Sequence, residues 1–592
     1  MKKSVVLTLL TILTLGIFWP LTALAEEQKL PSGTDRDKIG QKIQDYVKEH
    51  EKTTAGMATA VFDKDGTIYQ GNFGYMDKEK GIKADDDSVF EWGSVTKLTV
   101  WVSVMQLWEQ GKINLEEDIR TYLPEGFLKN LRYDKPITML DLMSHQAGFD
   151  EVTMYLQDDK SIEEILKEQQ PIQSFEPGTV TAYSNYGAGL AALIVERISG
   201  QTFADYAHEH IFQPLGMDKT AILPDLSDNS YVQKKRQETK GYDTKGNLLS
   251  KDHFITSIYP IGAATGTLKD LEKFAQALLA RKTLFERPET WNTFYTASST
   301  YPDTDIIRNA HGFWANEYGT TVLGHGGNTP GATSRIMLDL EHGIGYVVMT
   351  NQGTEQNYNF QMPELVFGPR KTASKETKEQ FSPGYYRTLR NFNQGPLAIF
   401  KMIPASADYL QEPSDDQRLP NNFWTIYQSQ GKTRIAVAVA DYEKVSDFDF
   451  FKDYVVLGFA GLGIIYALGL LIISPLLGVY RLIFRKKQDQ PDRTWKVWNL
   501  LTAVGILAVP INLFLLFMSA IPGNFGEIAQ WRYMLFAALG LLLTAAALLP
   551  LFRKFREKLS KVRLFLTAMT SLSALAVATN ILYWSLYQWW VF

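Results

Sequence analysis

The 592-residue chain contains no cysteine, which excludes a disulfide framework, a lipid-modified cysteine and a thiolate metal site. It is also short of net charge. The formal balance is −5, and no basic patch interleaved with aromatic residues precedes the C-terminal apolar region, which argues against a nucleic-acid partner. Metal-ligand patterns are scarce as well. The nearest approach is His208-Glu209-His210 in FADYAHEHIF, but residues i and i+2 of a helix do not share a face, so a solvated surface is expected there and no metal. Nothing in the composition calls for a cofactor.

What is present is unevenly distributed, and the long apolar runs gather at the two ends. Met1-Lys2-Lys3 followed by SVVLTLLTILTLGIFWPLTALA has the basic start, apolar middle and small-residue end of a secretory signal over residues 1–25. An uncleaved N-terminal anchor is the alternative, and both readings export the segment that follows. At the other end, residues 454–592 read as a membrane domain. Four apolar stretches near 454–480, 497–518, 533–551 and 564–583 are each long enough to cross a hydrocarbon layer of about 30 Å. The loops RLIFRKKQDQPDRTWK and RKFREKLSKVR are basic, whereas SAIPGNFGEIAQW has almost no basic residue. The positive-inside rule puts both basic loops in the cytoplasm and everything before the first span outside. The expectation is a multi-pass protein of a bacterial-type cell membrane with an extracytoplasmic main domain. Asn512 and Asn580 are the main polar groups of the four stretches, so an anchor or a lipid-facing groove is a simpler account than a transporter.

Between the ends, residues 37–367 mix strand and helix patterns without a repeat. GMATAVFDKDGTIYQGNFGY is a hairpin by its Asp65-Gly66 turn, and VLGHGGNTPGATSRIMLDLEHGIGYVVMTN reads as later strands of an antiparallel sheet. Helical patterns lie between these strand groups. The expected class is α+β: an antiparallel sheet flanked by helices, with a mostly helical lobe inserted. Residues 368–453 open on the charged run RKTASKETKEQ and read as a linker with a small β-rich accessory module.

Chemistry enters at Ser94-Val95-Thr96-Lys97, which opens the apolar helical pattern LTVWVSVMQLWEQGK. Residues i and i+3 share a helix face, so the Lys97 amine reaches the Ser94 hydroxyl. A lysine in a partly dehydrated pocket loses its charge readily enough to activate a serine. The spacing alone decides little, because Ser429-Gln430-Gly431-Lys432 repeats it in a stretch that reads as two strands around a glycine turn. Companion motifs decide. Tyr183-Ser184-Asn185 precedes an apolar helix: a phenol beside an amine shares proton transfer, and the Asn185 amide orients a substrate amide. His325-Gly326-Gly327 is expected at a strand start, where glycine lets substrate lie against the edge.

With S-x-x-K, Y-x-N and H-G-G in this order, the chain resembles the serine β-lactamase and penicillin-binding-protein superfamily, in the branch of class C β-lactamases, DD-peptidases and esterases. The resemblance spans residues 37–367 and includes GKINLEEDIRTYLPE, ITMLDLMSHQAGF and IGAATGTLKDLEKFAQ. It implies a β-lactamase/DD-peptidase-like fold in which Ser94 is the nucleophile, Lys97 and Tyr183 transfer protons, and Asn185, His325 and Gly327 meet the substrate. The N–H groups of Ser94 and Asn328 would form the oxyanion hole, and His145 would be structural. Histidine stands where class C lactamases carry the lysine of Lys-Thr-Gly. A mostly neutral imidazole suits a β-lactam carboxylate less well than a fixed cation. The expected function is therefore a serine acyl hydrolase, peptidase or esterase, acting beside D-amino acids in cell-wall material or an exported peptide. A β-lactamase and a non-catalytic penicillin-binding sensor are the alternatives. Expected partners are a small-molecule, peptide or cell-wall acyl substrate and the lipid bilayer.

Overall fold

The computed structural model describes residues 29–591 except 152–159, 250–255, 403–405, 412–422, 485–492, 521–525, 553–554 and 556–558. The signal segment expected at 1–25 and half of the first basic loop lie outside the described residues.

A nine-stranded antiparallel sheet organises the first domain. Its strands are β1 (Gly56–Asp63), β2 (Thr67–Asp77), β3 (Ile82–Lys83), β4 (Ser299–Thr300), β5 (Ile307–Ala310), β6 (Phe313–Glu317), β7 (Thr321–Thr329), β8 (Ala332–Asp339) and β9 (Ile344–Thr350). The spatial order is β3-β2-β1-β9-β8-β7-β6-β5-β4. Thus β1, from the chain's start, pairs with β9, from the far end of the domain, with Met57 opposite Thr350 and Asp63 opposite Ile344. A second small sheet joins Val89–Glu91, Thr265–Thr267 and Thr220–Ala221.

Period-two alternation along the strands builds a core on each face. Ala58, Ala60 and Phe62 of β1, Ile336 and Leu338 of β8, and Val347 and Met349 of β9 face the helical lobe. Met57, Val61, Met337, Tyr346 and Val348 face the other way. There they meet Ile39, Ile43 and Val47, which lie four apart on helix α1 (Ile39–His50) and so form one stripe. Each such aliphatic side chain taken fully out of water contributes roughly 1.5–3 kcal/mol. The lobe is built around α2 (Lys97–Glu109), α3 (Asn185–Ser199) and α4 (Leu268–Ala280). Every residue of α2 from Lys97 to Leu107 is buried. It is a central helix, covered on all sides, and that placement strips Lys97 of water.

A separate five-stranded antiparallel sheet follows: β10 (Gly384–Thr388), β11 (Asp408–Leu410), β12 (Trp424–Ser429), β13 (Lys432–Val437) and β14 (Asp441–Val445), in the order β11-β10-β14-β13-β12. The second S-x-x-K lies here, with Ser429 paired to Lys432 across a hairpin tip and Gly431 at φ +74°.

Helices α5 (Asp447–Ile483), α6 (Arg493–Ala520), α7 (Gly526–Leu548) and α8 (Lys561–Tyr583) end the chain. Each contains a span long and apolar enough to cross a membrane. Ala467, Ile506, Phe536 and Ala578 pack between them, while Leu462, Ile465, Ile472 and Leu541 stay exposed. The first helix starts earlier than the hydropathy run, at Asp447, because the Ser446 side chain caps it and Asp447 and Asp449 occupy its first turn.

Candidate active site

Ser94 lies in a single 3-10 turn, Gly93–Thr96, that runs directly into α2. The turn is held at several points. The Trp92 N–H donates to Ala264 O (2.8 Å), Ser334 Oγ donates to Trp92 O (2.6 Å), and the Ala264 N–H donates to Thr96 Oγ1 (3.2 Å). Ser94 remains half-buried and open to a ligand, whereas Lys97 is fully buried.

The Lys97 Nζ stands 3.0 Å from Ser94 Oγ and donates to Ile261 O at 2.6 Å. Burial holds this amine well below the ordinary lysine value; the Arg390 guanidinium adds to the effect and Glu151 opposes it. A neutral amine has one lone pair, and with a proton spent on Ile261 O that lone pair can face the Ser94 hydroxyl. The Tyr183 ring centroid is 5.1 Å from Nζ. Burial pushes the phenol well above its usual value, with Ser94 and Arg390 pulling the other way. Its hydroxyl sits beside Ser94 without completing a hydrogen bond to any described residue. The cluster therefore pairs an amine that burial makes readier than usual to give up its proton with a phenol that burial makes slower than usual to lose one.

Tyr183 is fixed by the helix that follows it. Ser184 caps α3 by accepting from the Gly187 N–H (3.0 Å), and the Ser184 N–H donates to His145 Nδ1 (3.0 Å). His145 is stacked on Trp314 (centroids 5.4 Å, 12° between planes) and meets the Tyr183 ring at a tilt (centroids 4.3 Å, 32°), and the Tyr183 and Trp314 centroids are themselves 6.3 Å apart, so the three rings form a cluster. Burial keeps its imidazole neutral. Asn185 opens α3, half-buried beside Tyr183.

His325 lies in the middle of β7 and not at a strand start. A Cβ at Gly324, just before it, would stand 2.1 Å from Ile336 O, so that glycine serves close strand pairing. The His325 ring centroid is 6.1 Å from that of Tyr183. Its Nδ1 is 2.7 Å from Gly326 O, a carbonyl that only accepts, so Nδ1 carries the proton and Nε2 presents a lone pair with no partner among the described residues. Burial, reinforced by Lys97, pushes its pKa down to about 3. Strand β7 therefore offers a neutral acceptor where a cation would sit in a Lys-Thr-Gly site.

The backbones of the serine turn and β7 approach closely at two glycines. Gly93 has φ +52°, and a Cβ there would lie 2.7 Å from the Asn328 N; a Cβ on Gly327 would meet Trp92 O at 1.9 Å and the Ser94 N at 3.0 Å. The N–H groups of Ser94 and Asn328 are thereby brought to one place. The exposed Asn328 side chain points elsewhere, accepting from Thr333 Oγ1 (3.2 Å).

The structure thus brings Ser94, Lys97, Tyr183, His325, Gly327 and Asn328 together and adds His145, Trp314 and Arg390, while Asn185 is placed near them by its position at the start of α3, two residues after Tyr183. His208 behaves differently from the solvated residue expected: its Nε2 pairs with Asp228 (2.8 Å) where the helix widens into a π turn.

The chain belongs to the Beta-lactamase family, whose profile matches residues 39–367; its members are serine hydrolases. It is similar to a β-lactamase from Yersinia enterocolitica, 30% identical over 284 residues that cover 47% of this chain and 67% of that one. It is also similar to the teichoic acid D-alanine hydrolase of Staphylococcus aureus, 24% identical over 50% of this chain and 74% of the relative. Among solved structures, the octameric penicillin-binding protein homologue from Pyrococcus abyssi matches with a TM-score of 0.49 and 19% identity, covering 69% of this chain and 100% of that one.

Proposed function

We propose that the chain is a membrane-anchored, extracytoplasmic serine acyl hydrolase, a peptidase or esterase that acts beside D-amino acids in cell-wall material or an exported peptide. The observation that carries the chemistry is the 3.0 Å approach to Ser94 of a buried Lys97, whose amine burial holds well below the ordinary lysine value. Ser94 Oγ attacks the carbonyl carbon while its proton passes to Lys97 Nζ. The carbonyl oxygen gathers negative charge against the N–H groups of Ser94 and Asn328. On collapse the bond to the leaving group breaks, and the amine or alcohol departs with a proton delivered by Lys97 through the Tyr183 hydroxyl. Water then attacks the acyl-enzyme ester by the same route in reverse, releasing the acid and restoring Ser94.

D-amino acid material is favoured by the similarity to a relative named a teichoic acid D-alanine hydrolase. The neutral His325 supports peptidase or esterase chemistry ahead of β-lactam hydrolysis. The lactamase reading keeps one argument, the 30% identity to the Yersinia enzyme. Membrane anchoring rests on the four apolar helices, and the outward placement of the hydrolase on the charge of their connecting loops.

The test is incubation of the full chain, in detergent, with a fluorophosphonate and with a fluorescent penicillin. Labelling and turnover that disappear in Ser94→Ala support the hydrolase. Stable penicillin labelling without turnover would favour a sensor, and labelling that survives the substitution would overturn both.

A further inference from the structure

The C-terminal module reaches the candidate site from outside the family domain. Residues 389–394, just after β10, grip the segment Asp150–Glu151. The Glu151 N–H donates to Asn391 O (3.1 Å). The N–H groups of Asn393 and Gln394 donate to Asp150 Oδ2 (2.9 and 3.0 Å), and the Asn393 amide donates to Asp150 Oδ1 (2.9 Å). From this fastened loop Arg390 extends over the Tyr183 ring, its guanidinium carbon 4.9 Å from the centroid. Its Nε donates to Glu151 (2.7 Å), which fixes the direction of the planar group. A second grip lies on the strand side: the Tyr183 N–H donates to Val439 O (3.0 Å), the Asp441 N–H donates to Thr181 O (2.8 Å), and Ala182 bridges Ala440. Tyr183 is thus held by the module through its backbone and capped by it on its ring.

We propose that Arg390, supplied by the C-terminal module, is a positioning residue that holds the Tyr183 phenol against Ser94 and Lys97, so that residues 39–367 alone lack a complete catalytic centre. The proposal rests on the roles given above to Ser94, Lys97 and Tyr183. Arginine suits the task because its planar, weakly hydrated guanidinium stacks on an aromatic face while hydrogen-bonding a carboxylate at its edge. Its fixed charge acts in a second way, since a cation near Lys97 disfavours another. The groups around the Lys97 amine are Arg390 and Glu151 as charges, with the Tyr183 phenol and the neutral rings of His145 and His325.

The experiment uses the full chain in detergent and compares Arg390→Ala and Arg390→Lys with the unaltered protein. The readouts are p-nitrophenyl acetate hydrolysis across pH, the rate of Ser94 labelling by a fluorophosphonate, and the thermal midpoint. Arg390→Ala is expected to lower kcat by about 10- to 100-fold with KM within about twofold. Labelling should slow in step. Loss of the charge lets Lys97 hold its proton to higher pH, so the acid limb of kcat/KM should move up by on the order of one unit. Arg390→Lys keeps the charge without the planar face, so the limb should stay in place while kcat recovers only in part. Unchanged kcat and an unchanged acid limb in Arg390→Ala would overturn the proposal. So would a loss confined to KM, which would make Arg390 a substrate contact, and so would a kcat loss that merely tracks a large fall in thermal midpoint. Failure of the unaltered protein to label or turn over would instead overturn the functional reading, and the positioning role with it.

Discussion

Arg308 and Asp441 form an ion pair at 2.8 Å with each side chain 2% exposed, and the pair joins β5 of the family domain to β14 of the C-terminal module. Asp441 also accepts from the Thr181 N–H (3.0 Å) and the Tyr427 hydroxyl (2.9 Å). Arg308 donates to the carbonyls of Val437 and Ala438. A buried charge pair of this kind contributes modestly as a whole, since desolvation offsets attraction, but removing one partner strands the other.

Arg308→Met is therefore expected to destabilise the protein by about 3–5 kcal/mol, and Asp441→Leu by a similar amount. Joining both substitutions should cost less than their sum, because neither charge is then left alone. Denaturant unfolding of the four proteins measures this, and strictly additive losses would show that the two residues act apart. Thr181 is bonded to Asp441 and stands two residues before Tyr183, so acyl transfer should fall with stability in both single variants.

A second expectation concerns the glycine before the proposed nucleophile. Gly93 has a positive φ and no room for a Cβ, the nearest atom being the Asn328 N at 2.7 Å. Gly93→Ala should push the serine turn away from β7 and spoil the alignment of the two N–H groups. Losing one oxyanion donor costs about 3 kcal/mol of barrier, so kcat should drop at least 100-fold. Asn328→Ala should lower kcat by less than about threefold, because its side chain bonds only Thr333 among the described residues, whereas Asn328→Pro, which deletes the N–H, should resemble Gly93→Ala. Steady-state kinetics with circular dichroism as a folding control separate the cases.

Much of this was legible in the chain. The hairpin at Asp65-Gly66, the helix after Ser94 and the helix after Ser184 follow from turn chemistry and local periodicity, which act within a few residues. The convergence of Ser94, Tyr183 and His325 was legible only because three spaced motifs occur in a known order. What stayed hidden depends on contacts with no local signature. Arg390 is an ordinary arginine in GYYRTLRNF, and nothing within that phrase marks Tyr183, far behind it, as its neighbour. His145 read as a structural residue of a family phrase, but the phrase does not show that its ring packs against Tyr183. His325 was expected at a strand start, with its glycines leaving room for substrate; only the neighbouring strand shows that Gly324 serves close backbone pairing in mid-strand.

The buried histidines set an acid-side stability effect whose sign is fixed. His325 titrates near 3 in the folded chain and near 6.5 when unfolded. Between those values the unfolded state binds a proton that the folded state refuses, so stability is lost as pH falls through that window. His145 acts in the same sense. Asp150 acts in the opposite sense between about 4 and about 6, because burial raises its carboxyl to about 6 and the folded state takes up a proton first. A difference measurement removes these parallel terms. Relative to the unaltered chain, His325→Phe should gain up to about 1.4 kcal/mol per pH unit as pH falls from 6.5 toward 3. Thermal unfolding at several pH values reads the gain, and a difference that does not vary with pH would show that His325 is not buried neutral.

Asp453, on the first turns of α5, ties the apolar C-terminal helices to the C-terminal module. Its fully buried carboxylate accepts from the Tyr583 hydroxyl of α8 (2.5 Å) and faces Arg387 of β10 (3.5 Å) and Lys401 (3.6 Å). Arg387 and Lys401 keep only 17% and 13% of their side chains exposed, so Asp453→Ala would leave two largely desolvated cations without their shared anion. That arrangement is costly, and the cheaper outcome is separation of the module from the helix bundle so that water reaches both cations. In detergent, Asp453→Ala should therefore be cut by protease near residues 446–453 at least tenfold faster than the unaltered chain. The helix bundle, whose contacts lie deeper, should persist as a resistant fragment. Because Arg387 lies on the strand that leads to Arg390, loosening at Asp453 should also slow Ser94 labelling by a fluorophosphonate. Faster proteolysis with unchanged labelling would show that the module holds Tyr183 without help from the helix bundle, and unchanged proteolysis would show that Asp453 is not the fastening point.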